Sequence, residues 1–144
     1  MKNHSYSSTI EISQSPNEVF NQINDVASWW ATKEFKGVYE GHSTTLDDEF
    51  VVRFGDAHYS KQKLVEIIPD KKIVWLVTDS KTNWIENDKT EWTNTKMIFE
   101  LTPKGGGTLL KFTHEGLVPE KACYSKCVQG WDMLITRKLY DLVN

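Results

Sequence analysis

The 144-residue sequence has few cysteines, no excess of basic residues and no long apolar run, and each of these features excludes a class of protein. Its two cysteines are too few for a disulfide scaffold and suit a reducing compartment. Its net charge of -3 gives no basic excess of the kind that nucleic-acid binding needs. No apolar run approaches the roughly 20 residues of a membrane span, and the first residues lack a signal-peptide pattern. We therefore expect one cytoplasmic domain over residues 1–144, without nucleic-acid binding or membrane insertion.

Motifs for covalent catalysis and for metal or cofactor binding are also missing. There is no Gly-x-Ser-x-Gly sequence, and the three glycines at 105–107 lack the lysine and serine of a phosphate loop, so they predict a turn. Cys123 and Cys127 supply only half of a tetrahedral zinc site, and no histidine is spaced to complete it. A disulfide within a regular helix has poor geometry. The sequence therefore predicts two buried free thiols, no metal and no cofactor.

Aromatic residues, by contrast, are abundant. Six tryptophans, five tyrosines and six phenylalanines make 12% of the chain. Such side chains bury large areas at little cost in rotamer entropy, so they either fill a core or line a cavity.

The order of predicted elements begins with an alternating strand at residues 9–13. Ser15, Pro16 and Glu18 then have the spacing of a capping box with proline at the first helical position, which predicts a short helix. A second short helix is predicted at 25–30. Between residues 35 and 115 the pattern alternates with a period of two and is interrupted by turn signals, which is typical of antiparallel strands. One of these strands is predicted at 61–68.

Apolar residues at helical spacing predict one long amphipathic helix at 119–143. Between the strands, the polar segment 79–94 carries Trp84 and Trp92 and is long for a hairpin loop. The fold class is therefore α+β: a curved antiparallel sheet of six or seven strands wrapped around a long C-terminal helix, with two short helices after the first strand.

Four local patterns resemble one known family when taken in order. They are SPNEVF at 15–20, LVEIIP at 64–69, GTLLKFTHEGL at 107–117, and Gly-Trp at 130–131. Together they resemble the START-like (SRPBCC) superfamily, and within it the homologues of the activator of the heat-shock-protein-90 ATPase. The resemblance implies a helix-grip fold with a cavity between the sheet and the long helix, which accepts apolar or amphipathic small molecules.

The inward positions of the predicted strands face the stripe of the predicted helix. If a cavity is present, these positions and the rim residues implied by the resemblance form its wall. The same residues also make a solid core, and the sequence leaves both interpretations open. The candidate ligand-binding residues are Trp29, Trp30, Val52, Trp75, Met97, Phe99, Phe112, His114, Trp131 and Leu134.

Two positions within this region carry further alternatives. His114 shares a strand face with Leu110 and Phe112, so it is a hydrogen-bonded core histidine, a polar group that orients a ligand, or a general base. Gly130 lies inside the predicted helix at a cost of roughly 0.5–1 kcal/mol against alanine, so it allows close backbone approach, leaves room for a ligand, or is neutral. Trp84 and Trp92 either contact a ligand or pin their loop to the domain.

These features favour a binding protein for an apolar, aromatic or lipid-like ligand over an enzyme. The alternatives are a cyclase- or hydrolase-like enzyme that uses the same cavity, and a chaperone-interacting protein. The last alternative rests on family resemblance alone, which is a weak warrant for function.

Overall fold

The computed structural model describes residues 5–31, 36–83, 90–119, 121 and 124–142. The strands are β1 (Tyr6–Ile12), β2 (Gly37–Gly41), β3 (Glu49–Phe54), β4 (His58–Ile68), β5 (Lys72–Thr82), β6 (Lys96–Lys104) and β7 (Gly107–Glu115). The helices are α1 (Pro16–Asn24), α2 (Val26–Trp29), α3 (Tyr124–Met133), a π-helical segment (Leu134–Leu139) and α4 (Tyr140–Leu142). Helix α3, the π-helical segment and α4 follow one another without interruption and together form the C-terminal helix.

The strands form one seven-stranded antiparallel sheet in the order β1-β7-β6-β5-β4-β3-β2. Each strand from β2 to β7 pairs with the next along the chain, and β1 closes against β7 with Tyr6 opposite His114. Alternate side chains on each strand point to the interior, where the C-terminal helix packs. The predicted α+β helix-grip class is confirmed.

The helix after β1 begins where the sequence predicts. The Ser15 hydroxyl accepts a hydrogen bond from the Glu18 N–H at 3.3 Å, and the Glu18 carboxylate accepts one from the Ser15 N–H at 3.3 Å. This capping box satisfies two backbone donors that a helix start leaves open. The buried face of α1 carries Val19, Phe20 and Ile23. Helix α2 is shorter than predicted and ends at Trp29, which brings both adjacent tryptophans into the interior.

The C-terminal helix spans 124–142 instead of the predicted 119–143. Residue 119 lies in a turn, while 120, 122, 123 and 143 lie outside the described residues. Trp131, Ile135 and Leu139 form its buried stripe, but Leu142 is 42% exposed. No helix in the described ranges is long and apolar enough to cross a membrane.

Two strands are longer than their apolar patterns suggest. Strand β4 begins at His58 instead of residue 61, and β5 continues to Thr82, inside the segment expected to be a loop. The added length carries buried polar side chains at alternate positions, which include Ser60 and Ser80. Because polar residues face the interior here, this part of the sequence lacks the apolar alternation that predicts a strand. The predicted strands are therefore too short.

The expectation of free thiols is wrong for Cys127. Its sulfur is in a disulfide, and no free cysteine is found in the described part of the chain. The chain has one other cysteine, Cys123, which lies outside the described residues. Cys127 therefore has no free thiol with which to bind zinc.

We predict that Gly107→Ala lowers the free energy of unfolding by about 3 kcal/mol in urea denaturation. A Cβ atom on Gly107 would lie 2.1 Å from the carbonyl oxygen of Ile12, so the β1–β7 pair must separate. Gly105→Ala is the control, because its Cβ meets nothing within 4 Å and only its φ of +54° is unfavourable. We expect about 1 kcal/mol there. Equal losses in the two variants would contradict the steric account.

Candidate functional site

The ten candidate residues all lie in the interior, each less than a tenth exposed. Their aromatic rings pack directly on one another. Trp30 stacks on Trp75 with ring centroids 6.0 Å apart and 18° between the planes, and its centroid is 5.2 Å from that of Trp131. Phe112 lies 4.6 Å from Trp131, and Phe99 lies 5.0 Å from Trp75. Much of the predicted cavity region is therefore filled by indole and phenyl rings.

A cavity of about 270 Å³ remains at one side of this cluster. Of the ten candidates, Trp30, Trp131 and Leu134 lie on its wall. The other seven pack elsewhere in the core: Trp29, Val52, Trp75, Met97, Phe99, Phe112 and His114. Core and cavity are thus both present, in different parts of the interior. The ligand-binding role of the ten residues stays a prediction.

Four parts of the chain surround this cavity. The end of the β3–β4 hairpin contributes Phe54, Ala57 and His58, Trp92 covers one side, and Trp30 follows the end of α2. The C-terminal helix contributes the remaining wall, which includes Lys126 at the rim. The lining is mostly apolar, with one polar ring from His58 and one charged side chain from Lys126.

The wall on the helix side is open at Gly130. A Cβ atom built there meets nothing within 4 Å, and the residue lines the cavity. A larger side chain at this position would therefore extend into unfilled space. The geometry fits the interpretation in which this glycine leaves room, and it does not fit close backbone approach.

His114 lies within a closed hydrogen-bond chain. The Trp131 indole N–H donates to His114 Nδ1 at 2.9 Å, so the ring proton is on Nε2, which donates to the Thr95 hydroxyl at 2.8 Å. That hydroxyl in turn donates to the carbonyl oxygen of Trp92. Burial is the main cause that lowers the pKa of His114 to about 3, and the electrostatic influence of His58 and Lys121 lowers it further. His114 is a neutral group that positions Trp131.

His58 is the histidine that reaches the cavity wall. Its Nδ1 lies 3.1 Å from the Thr82 hydroxyl, and its ring meets Trp92 edge-on with centroids 4.5 Å apart. Burial lowers its pKa to about 4, so the ring is neutral at physiological pH. The sequence spacing identified His58 only as one of the histidines that do not complete a zinc site. In the described residues, no group of histidine, cysteine and carboxylate side chains is arranged to hold a metal ion.

A row of polar side chains continues inward from His58 along β4. Ser60 and Gln62 are fully buried on the same strand face. The Ser60 hydroxyl and both amide atoms of Gln62 have no hydrogen-bond partner. Sequence reasoning missed this row, because Lys61 and Lys63 alternate with it and make both faces of the segment look polar. The signal that could have shown this burial is the strong apolar pattern of β3 and β5, the strands that pair with β4 on either side.

Trp92 packs inward instead of standing free in a loop. Its ring stacks on Trp131 with centroids 5.7 Å apart and 14° between the planes, and its indole N–H donates to the Cys127 sulfur at 3.4 Å. It therefore both pins its segment to the domain and forms part of the cavity wall. Trp84, the other tryptophan of that segment, lies outside the described residues.

A seven-stranded sheet closed around one C-terminal helix, with a cavity between them, is the architecture of START-like domains, a ligand-binding fold. The family model "Activator of Hsp90 ATPase homolog 1-like protein" matches residues 14–144. The chain therefore belongs to this family. A search of curated proteins found no match.

Solved structures share the whole fold at low sequence identity. The Aha1 dimer from Colwellia psychrerythraea is 19% identical with a TM-score of 0.73, covering 99% of this chain and 96% of that one. A protein from Rhizobium leguminosarum is 14% identical with a TM-score of 0.77, covering 99% and 95%. DynU16, from the dynemicin biosynthetic locus, is 15% identical with a TM-score of 0.66, covering 98% of this chain and 48% of that one.

We predict that the free energy of unfolding falls as the pH drops below about 6.5. In the unfolded chain, His58 and His114 take up protons near their ordinary pKa of 6.5, while in the folded protein they stay neutral to about pH 4 and pH 3. The unfolded state then binds more protons, so acid favours it. Each histidine contributes a slope of about 1.4 kcal/mol per pH unit within its window.

Urea denaturation at a series of pH values between 7 and about 4.5 measures this slope. His114→Gln and His58→Gln are each expected to reduce the slope by the contribution of one histidine, about 1.4 kcal/mol per pH unit within its window. The double variant is expected to remove both contributions. A wild-type slope that the double variant leaves unchanged would show that neither buried ring governs acid stability.

Proposed function

We propose that this domain binds an apolar or aromatic, lipid-like small molecule in the cavity between the C-terminal helix and the β3–β4 hairpin. The supporting observation is the unfilled space of about 270 Å³ beside Gly130, bounded by three tryptophan rings. An engineered cavity of about 150 Å³ lined by apolar side chains binds benzene. The larger volume here suits a ligand portion of about two fused rings. The stacked indole rings contact the faces or the edges of these ligand rings.

Burial of the ligand supplies the affinity in this proposal. Each Å² of apolar surface removed from water contributes about 25 cal/mol before ordering costs are subtracted. The Lys126 ammonium at the rim suits an anionic or polar tail that reaches solvent. The preformed wall keeps the ordering cost low, because the tryptophans are already held by packing and hydrogen bonds.

We predict that Gly130→Leu blocks ligand binding and leaves the domain folded. Leucine has a higher helix propensity than glycine, and its side chain extends into open space, so the variant's own melting temperature should not fall. Wild-type protein at a ligand concentration of 100 Kd should gain about 5–10 °C in melting temperature, and Gly130→Leu should gain none.

The measurement is a thermal-shift screen with tryptophan fluorescence against naphthalene, fatty acids, sterols, flavonoids and polyketide-like aromatics. Gln129→Leu is the matched control, because it makes the same side chain on the exposed face of the same helix. It should keep the ligand response. The proposal fails if no compound stabilises the wild type, or if Gly130→Leu responds as the wild type does.

The chaperone-interacting alternative is supported by the description of the family and by the Colwellia psychrerythraea structure named Aha1. Its test is a pull-down with a purified Hsp90 and an assay of the Hsp90 ATPase. A domain that neither binds the chaperone nor changes its ATPase rate rules this alternative out. The cyclase- or hydrolase-like alternative and the cytoplasmic location stay predictions; the disulfide at Cys127 does not favour a reducing compartment.

A further inference from the structure

Ser60 and Gln62 carry three buried polar atoms without a partner in the empty protein. Both residues are fully buried, so bulk water does not reach these atoms. Leaving a buried donor or acceptor unpaired costs free energy, and native proteins avoid it unless a water, an ion or a ligand completes the bonds. These atoms therefore need an occupant that carries hydrogen-bonding groups of its own.

The two residues continue the line of the cavity wall. His58, Ser60 and Gln62 alternate along the inner face of β4, so each side chain follows the last by about 7 Å. Trp30 links the cavity to the inner end of this row. Its ring lines the cavity and also contacts Phe50, the residue opposite Gln62 on β3. The cavity and the unpartnered amide are therefore next to residues that contact each other.

The neighbours of the row within the sheet carry no charge. The neighbours of Gln62 across the sheet are Phe50 on β3 and Val77 on β5. Ser60 lies between Val52 and Ser80, and the Ser80 hydroxyl is already bonded to Thr93 at 2.9 Å. The His58 ring at the outer end is neutral. A carboxylate or an ammonium group would find no counter-charge there, so the environment selects against an ionised group.

We propose that the buried row of Ser60 and Gln62 is a polar subsite that recognises a neutral lactam or carboxamide edge on a ring ligand. The Gln62 amide offers a carbonyl acceptor and an N–H donor side by side, and the complementary group is an adjacent N–H and C=O. The Ser60 hydroxyl adds a third bond. The ligand lies with its apolar rings in the cavity and its polar edge directed from His58 along the inner face of β4 toward Ser60 and Gln62. This subsite rests on the proposed function, because the ligand enters through the same cavity.

Isothermal titration calorimetry with three two-ring probes of similar size tests the subsite. 2-Quinolone carries the lactam edge, quinoline carries an acceptor only, and naphthalene carries neither. We expect wild-type protein to bind 2-quinolone at least tenfold more tightly than naphthalene, with quinoline between them. In Gln62→Met, which keeps the side chain's length and removes its amide, this preference should disappear while naphthalene affinity changes less than twofold.

Two further measurements separate the possible failures. Gln129→Met applies the same replacement on the exposed helix face and should keep the preference for 2-quinolone. Gln62→Met should also melt at or above the wild-type temperature, because it removes amide atoms that have no bond in the empty protein. A clear fall in melting temperature would mean that the amide is already bonded, which overturns the inference.

If naphthalene binds and Gly130→Leu blocks it, but 2-quinolone is not preferred or Gln62→Met keeps the preference, this inference fails alone and the row holds water only. If none of the three probes binds, the subsite is rejected together with the two-ring cavity on which it rests. A preference that Gln62→Met abolishes and Gln129→Met retains supports the subsite. Ser60→Ala should then weaken 2-quinolone binding severalfold without affecting naphthalene.

Discussion

The hydrogen bond from the Trp131 indole to His114 joins the C-terminal helix to the sheet, and the shape of the interior depends on it. An indole N–H in an apolar interior needs an acceptor, and the unprotonated Nδ1 of a neutral imidazole provides one. The bond fixes the plane of the Trp131 ring. Trp92 stacks on that plane, while Trp30 and Phe112 pack against it. The wall of the cavity is therefore rigid on the side that the helix and sheet share.

Other buried indoles follow the same rule and tie separate elements together. Trp29 donates to the Ile23 carbonyl at 3.0 Å, which holds α2 against α1. Trp75 donates to the Ser43 hydroxyl at 2.9 Å, which fixes the segment before β3. Trp29, Trp75, Trp92 and Trp131 thus each contribute one directional bond as well as a large buried area. The aromatic content gives this interior defined geometry, because the polar end of each of these rings is bound to a different part of the chain.

The sequence predicted the architecture well, because the architecture follows from periodic burial. The capping box at Ser15, the strand alternation at Phe50 and Phe112, and the helical stripe through Trp131 are all local patterns. Placement of the cavity was beyond such reasoning. Whether inward rings meet or leave a gap depends on how far the helix lies from the sheet, and on a missing side chain at Gly130.

The failure at β4 and the open interpretations of His114 have a related cause. A polar side chain on a strand is ordinarily assigned to solvent, so Ser60 and Gln62 were not recognised as inward-facing. His114 was recognised as inward-facing, but its partners, Thr95 and Trp131, are distant in sequence, so its role required the tertiary structure. The disulfide at Cys127 was excluded by assuming a regular helix from 119 onward. The described helix begins at Tyr124 instead.

The π-helical segment at Leu134–Leu139 affects how the C-terminal helix presents its buried side. Cys127, Trp131, Ile135 and Leu139 are buried at intervals of four residues. An α-helix turns about 100° per residue, so each interval of four over-rotates by about 40° and the side chains drift around the axis. A π-helical turn contains more residues and rotates less per residue. Because the wider turn reverses this drift, side chains at intervals of four residues stay directed at the sheet. In an unbroken α-helix the same side chains would turn away from it.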